Sequence, residues 1–520
     1  MKRLILTLLT IVSLIPFFLS LVGSLEEPQV QSQLELSQTN LLLEASAWQG
    51  KAVDESLGAS LRTALLDSQP YATGLKQYES ARMALMTYGE KLEGQLTALA
   101  QNTDESNLSQ ALVNSSINRQ QLQQVIANNQ TQLDRLNVNL GLIQQHENQS
   151  SQAVQTWQTV LNQGGADTEK ALARLLLALY QNQPLLPKAE TLIQDQLSGW
   201  FQWQALDRLY RRQANIQDQA QACETAACLT LAQTMETQAQ QALLKLGLLN
   251  SLPLLGGGIG LLLLVGLLVQ WALRRENAIL ATNAQTKWVT PWAWETIWQV
   301  LVVGFFFSSQ ILLPVAIGLL PLQVSGLTLV GKAVYVLGTY TAIAVWGIGV
   351  LAISLRTFRP LPADWFKVSF SLPALLWGGG GYLVALPLVV LISLLNQEIW
   401  QGQGGSNPLL SLALESQNWL VLGIFFFTAA VLAPLFEELI FRGFLLPSLT
   451  RYFPVWLAIL ASSLLFAIAH LNLSEVLPLL VLGCVLGVVY SRSRNLVASM
   501  TLHSLWNSGT LISLFILGNQ

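Results

Sequence analysis

Two patterns of hydrophobic and polar positions divide the chain. From Leu248 onward, apolar segments follow one another at about Leu248–Leu273, Trp298–Leu320, Ala333–Leu355, Leu375–Leu395, Trp419–Leu446, Val455–His470, Val476–Tyr490 and Leu496–Leu517. Most approach the ~20 residues that ~30 Å of hydrocarbon requires, although two are short. Residues 26–245 read differently: Gln, Asn, Ala and Leu dominate, Gly and β-branched residues are sparse, and no stretch is long enough to cross a bilayer. That composition favours helix. Leu122, Ile126, Leu133, Leu136, Leu140 and Ile143 fall on heptad seam positions, with Asn129 at the vacant one. The spacing predicts a coiled-coil hairpin within the chain or a long bundle helix. Short helical segments follow at Gln155–Leu161, Thr168–Tyr180, Ala189–Trp200 and Gln202–Arg212, broken at Gly164-Gly165 and between Pro184 and Pro187. They are loosely like tetratricopeptide hairpins, without a repeating consensus. The predicted fold is all-α: a polytopic transmembrane helical bundle with an N-terminal extramembrane helical domain.

The first residues complete this outline. Met1-Lys2-Arg3 precedes an apolar core from Leu4 to about Val22. The core is longer than that of a cleaved signal and lacks an Ala-x-Ala site, so an uncleaved anchor is expected ahead of a signal cut after Gly23-Ser24. Four regions result: 1–25 as anchor or signal, 26–245 as an exported Gln-rich helical domain, 246–370 as additional transmembrane helices, and 371–520 as the domain carrying the chemistry. If every span crosses, Lys2/Arg3, Arg274/Arg275, Arg356/Arg359, Arg442/Arg451 and Arg492/Arg494 share one side. The positive-inside rule makes that side cytoplasmic, which places residues 26–245 on the exported side.

Composition supports a membrane protein and narrows the chemistry. Charged residues are 11% of the chain, against about 25% in soluble domains. A formal net charge of -3 gives no electrostatic case for nucleic acid. Three cysteines exclude a disulfide framework and a four-cysteine zinc site within one chain. Cys223 and Cys228 would form a small disulfide loop if the chain turns there in an oxidising compartment, and two free thiols if the helix runs straight. Cys484, among Leu, Val and Gly, reads as packing. His146, among Gln, Glu and Asn, reads as a solvated surface residue.

Inside the apolar run Val431 to Leu446 lie two adjacent carboxylates and an arginine, Glu437, Glu438 and Arg442. An ionised side chain at the bilayer centre costs at least ~3 kcal/mol, so such groups are paired and functional. Glu438 and Arg442 share one helix face and can form an ion pair. Glu437 then points about a hundred degrees away. Of the three histidines in the chain, two follow in apolar segments: His470 closes Phe466-x-x-x-His470, and His503 opens His503-x-x-x-Asn507. A helical bundle can gather all six residues into one polar pocket.

These three motifs, in this order on successive hydrophobic helices, resemble the CPBP family, which holds the CAAX prenyl endopeptidases and the Abi bacteriocin-immunity proteins. The resemblance covers roughly Leu372 to Leu517 and implies a glutamate-dependent intramembrane endopeptidase acting on a substrate near the membrane surface. In that reading Glu437 with His470 activates a water that attacks a peptide carbonyl, and His503 with Asn507 receives the oxyanion. The Glu438–Arg442 pair holds the helix geometry. Expected partners are the bilayer and a membrane protein or lipid-modified peptide as substrate, with protein partners for the N-terminal domain. No cofactor is required. The metal alternative makes Glu437, His470 and His503 three zinc ligands with an open fourth position, although His-Glu-x-x-His is absent. Two non-enzymatic readings use the same residues: a membrane scaffold or bacteriocin-immunity protein, and a transporter with buried charges along its path. The spans show no internal repeat of the kind transporters carry. One geometric tension stands out. Full-length crossings would place Glu437 near the cytoplasmic end of its span and His470 near the far end of the next. The two meet only if the glutamate helix runs deep past Arg442 or the His470 segment is short or tilted.

Overall fold

The structure is a computed structural model. It describes residues 2–26, 31–48, 66, 68–101, 110–163, 165–185, 187–216, 223–320, 326–400, 402–416 and 418–518. The described residues are helices joined by turns and loops, and they divide into two compact units, Ser32–Leu248 and Met1–Gln31 with Leu249–Asn519.

In the Gln-rich unit, helix Pro70–Gln101 packs against helix Gln110–His146 as a hairpin. The seam residues Leu133, Leu136, Leu140 and Ile143 are buried. Asn129, at the vacant seam position, donates from Nδ2 to Leu85 O at 3.1 Å. A buried amide in a seam is tolerated when it finds such a partner, and it then fixes register. Helices Ser150–Asn162 and Asp167–Tyr180 lie where the apolar pattern puts them. The next boundary differs from the reading above: one helix ends at Gln196, and Trp200 belongs to the following one, Gly199–Gln213. The cause is Gly199, whose φ of +53° breaks the run, and a Cβ there would sit 1.8 Å from Glu44 Oε1. His146 is exposed, its ring 4.0 Å from that of Tyr71. Cys223 and Cys228 are joined in a disulfide, with Cα atoms 5.8 Å apart. Helix Ala226–Arg274 begins only after Cys223, which supplies the turn that a straight helix would deny.

The second unit makes this an integral, multi-pass membrane protein. Seven helices among the described residues are long and apolar enough to cross a bilayer: Lys2–Gly23, Ala226–Asn277, Trp294–Gly318, Leu329–Phe358, Leu372–Trp400, Trp419–Leu449 and Leu473–Ser493. Two expected spans fall outside that set. Val455–Ile468 has 14 residues, about 21 Å of helix, and falls short of the hydrocarbon thickness. Leu496–Gly518 is 23 residues long, but Ser499, Thr501, His503, Ser504, Asn507, Ser508 and Thr510 keep it out of the apolar set.

Close helix packing positions the polar residues. Gly378 and Gly381 on Leu372–Trp400 face Leu496–Gly518 so closely that a Cβ would stand 2.7 Å from Ala498 O or 2.6 Å from Leu502 Cδ1. Without a hydrophobic drive between helices in lipid, such small-residue contacts supply the packing, and they hold the helix that carries His503. The ends of the unit are chemically distinct. Arg3 pairs with Glu295 at 2.5 Å, Arg451 donates to Thr290 O at 3.1 Å, and Arg494 donates to Thr286 O and lies 3.4 Å over the Trp288 ring. Three of the basic clusters thus converge on one stretch, Thr286 to Glu295. Arg442, counted above with Arg451, does not join them; it is fully buried.

Candidate active site

The helix Trp419–Leu449 carries two π-helical stretches, Phe427–Leu432 and Glu438–Leu445, on either side of Pro434. Pro434 has no N–H to give the carbonyl of Ala430, and a widened turn relieves the clash of its ring. The freed carbonyls are taken by the neighbouring helix. Asn507 Nδ2 donates to Ala429 O at 2.6 Å, and Ser504 Oγ donates to Ala430 O. His503, Ser504 and Asn507 are therefore locked to the glutamate helix two turns before Glu437.

Behind the cavity sits the ion pair. Arg442 Nη1 lies 2.9 Å from Glu438 Oε1, and both side chains are essentially sealed from solvent. Arg442 also donates to Gly483 O at 3.3 Å and lies 4.3 Å over the Phe466 ring. A Cβ at Gly483 would meet Ser463 Cβ at 2.9 Å, so glycine there admits the close approach that brings its carbonyl to the guanidinium. His503 Nδ1 stands 3.0 Å from the same Glu438 Oε1. That contact turns Nε2 toward Glu437, whose Oε2 is 3.9 Å away.

His470 is oriented by its own helix end. Its backbone N–H bonds to Ala467 O, so the carbonyl of Phe466 loses its usual partner and accepts from His470 Nδ1 at 2.8 Å. With Nδ1 protonated, the neutral ring offers Nε2 as an acceptor. The Phe-x-x-x-His spacing is thus a C-terminal capping device, and the Phe466 ring adds edge contacts to His470 and His503 at 4.9 and 5.8 Å.

Glu437, His470, His503 and Asn507 all line one partly open cavity of about 470 Å³. The depth tension resolves because both conditions hold: the glutamate helix runs on to Leu449, and the helix before His470 is short. Ser462 Oγ donates to Phe441 O at 2.9 Å, which fixes the two as level. Glu437 and His470 lie on the same side of that level, about 6 and 12 Å along their helices at 1.5 Å per residue. Of the six expected site residues, four face the cavity, and Glu438 and Arg442 stand behind it.

One residue escaped the sequence reading. Tyr340, on helix Leu329–Leu355, donates its hydroxyl to Glu437 Oε1 at 2.7 Å. Nothing in the sequence separates it from Tyr335 five residues earlier; only the fold shows which of the two meets the carboxylate. Glu437 Oε2 has no hydrogen-bond partner among the described residues. One oxygen is therefore held and the other carries no hydrogen bond. Among the described residues no group of three or more His, Cys, Asp or Glu side chains is placed to hold a metal ion.

A sequence model of type II CAAX prenyl endopeptidase Rce1-like proteins matches residues 418–509, the stretch that holds all three motifs. The UPF0177 protein YxdF of Lactococcus lactis subsp. lactis (strain IL1403) is 31% identical over 165 residues, which are 31% of this chain and 82% of that protein. The chain belongs to the Rce1-like family of CAAX-type endopeptidases. No solved structure gives a significant match. The Rce1-like match spans Glu437 to Asn507 but leaves out Tyr340, whose helix lies before it. The Gln-rich unit also lies outside the residues that the family model matches.

Proposed function

We propose that the protein is an intramembrane endopeptidase that hydrolyses a peptide bond of a membrane protein or a lipid-modified peptide without a metal. The observation that carries this reading is that Glu437, whose Oε2 has no hydrogen-bond partner among the described residues, lines one cavity with His470, His503 and Asn507. A water held between Glu437 Oε2 and His470 Nε2 gives one proton to Glu437 while its oxygen bonds to the scissile carbonyl carbon. The oxyanion formed is met by Asn507 and His503, which act strongly in a site shielded from water. Collapse of the tetrahedral adduct breaks the C–N bond, and the proton on Glu437 passes to the leaving amine. Glu438 and Arg442 act through His503 and the helix backbone, as positioning residues.

Residues 26–245 lie on the exported side in this reading and bind protein partners. The convergence of basic clusters on one end supports that orientation, as does the Cys223–Cys228 disulfide, since such bonds persist in oxidising compartments. The test compares membrane proteomes of cells carrying wild-type protein and Glu437→Gln at equal levels. Precursors that accumulate only with Glu437→Gln identify the substrate. Identical profiles, with the variant still rescuing a deletion phenotype, leave a scaffold and remove the enzyme.

A further inference from the structure

We infer that the cavity opens toward the exported face, so that its substrate is the exported-side end of an apolar, membrane-anchored segment. The inference rests on the endopeptidase reading and on the orientation given with it. It starts from the walls of the cavity. Besides the site residues these include Phe17 near the end of the first helix, Leu410, and Leu471, Asn472 and Glu475. The loops that carry them are tied together. Asn407 N donates to Glu475 Oε1 at 2.8 Å, Ser474 Oγ donates to Gly405 O at 2.6 Å, and Leu473 N donates to Ser24 Oγ at 3.2 Å.

Ser24 marks which end this is. The first helix begins at the basic end, where Arg3 pairs with Glu295, and finishes at Gly23, beside these loops. A helix of 22 residues is about 33 Å long, a full crossing. The cavity loops are therefore at the membrane face opposite the arginines. The positive-inside rule makes the arginine end cytoplasmic. The disulfide belongs to the segment that leaves from Ser24, which puts the oxidising compartment on the cavity side. Charge asymmetry and sulfur chemistry thus agree on the direction of access.

Access from that face selects the substrate. The cavity lined by Glu437 and His470 also has an apolar wall of Phe305, Phe306, Leu479 and Trp506, which suits a chain anchored in the bilayer and emerging on the exported side.

The test is thiol accessibility in the full chain, read with a membrane-impermeant sulfonated maleimide. Cys484→Ala removes the free thiol. In that background Leu410→Cys reports on the cavity loops, and Lys367→Cys reports on the arginine end, where Leu496 N bonds to Lys367 O. In right-side-out vesicles the reagent is expected to label Leu410→Cys and to leave Lys367→Cys unlabelled; inside-out vesicles give the reverse. Labelling of Lys367→Cys in right-side-out vesicles overturns the inference, and so does failure of Leu410→Cys to label there. The labelling does not depend on cleavage. A negative Glu437→Gln proteome would remove the peptidase reading while leaving the direction of the cavity established by this measurement.

Discussion

Removing the arginine and the glutamate of the buried pair together should destabilise the protein by less than the two single removals added. Arg442→Met keeps side-chain length and apolar bulk but deletes the guanidinium. That group makes contacts of 2.9 Å to Glu438 Oε1 and 3.3 Å to Gly483 O, and it lies 4.3 Å over the Phe466 ring. Glu438 would keep His503 Nδ1 at 3.0 Å as its remaining ionisable partner, in a position with no solvent exposure. Stranding one charge of a buried pair costs about 3–5 kcal/mol. Against a total stability of about 5–15 kcal/mol, that is a large fraction. Glu438→Gln strands the guanidinium instead and should cost a similar amount. The double variant Glu438→Gln/Arg442→Met strands nothing, so its loss should fall below the sum of the singles by about 2 kcal/mol or more, within the range for contacting residues. Unfolding in mixed micelles, titrated with an anionic denaturing detergent, measures all four proteins. A loss under about 1 kcal/mol for Arg442→Met, or strict additivity around the cycle, would refute the claim that the two residues act as one buried pair.

Two further outcomes follow from the geometry. Tyr340→Phe keeps the ring and deletes the bond to Glu437; a hydrogen bond to a charged group is worth about 1.5–3 kcal/mol. Turnover of the precursor identified by the Glu437→Gln comparison should fall roughly ten- to hundredfold with KM little changed, whereas a rise in KM at constant kcat would contradict a positioning role. In the Gln-rich unit, burial pushes the Glu44 carboxyl up to about 7, with Lys245 pulling weakly the other way. Its unfolded value is near 4.5, so between the two the folded state holds a proton that the unfolded state has released. Stability should therefore decline as pH rises from about 4.5 to 7 and level off above, by about 3 kcal/mol in all. Hydrogen exchange of the full chain across that range measures it, and Glu44→Gln should flatten the dependence.

Residue spacing made much of the site legible, and particular residues show where that stopped. The spacing of Glu438 and Arg442 gave their ion pair, because four residues on a helix is a fixed geometry. Phe466-x-x-x-His470 gave the histidine but not the cap that orients it, since that depends on where the helix ends. Asn507 was assigned to an oxyanion site; its amide also bonds Ala429 O, a carbonyl exposed only because Pro434 widens the turn. Tyr340 was invisible, since meeting Glu437 requires a contact across 97 positions of sequence.

By itself the sequence determined the all-helical membrane class, the Gln-rich insertion, the hairpin seam and the identity of the polar residues, because each follows from local periodicity and from the cost of burying charge in hydrocarbon. The tertiary structure decided three things. Glu437 and His470 come to similar depth because one helix overruns its span and the next falls short. Glu438 and Arg442 stand behind the cavity because Gly483 lets a third helix close over them. The loops at the cavity lie at the end away from the arginines, where the first helix finishes at Ser24. Each depends on how helices of unequal length stack against one another, a relation between distant segments that no local pattern encodes.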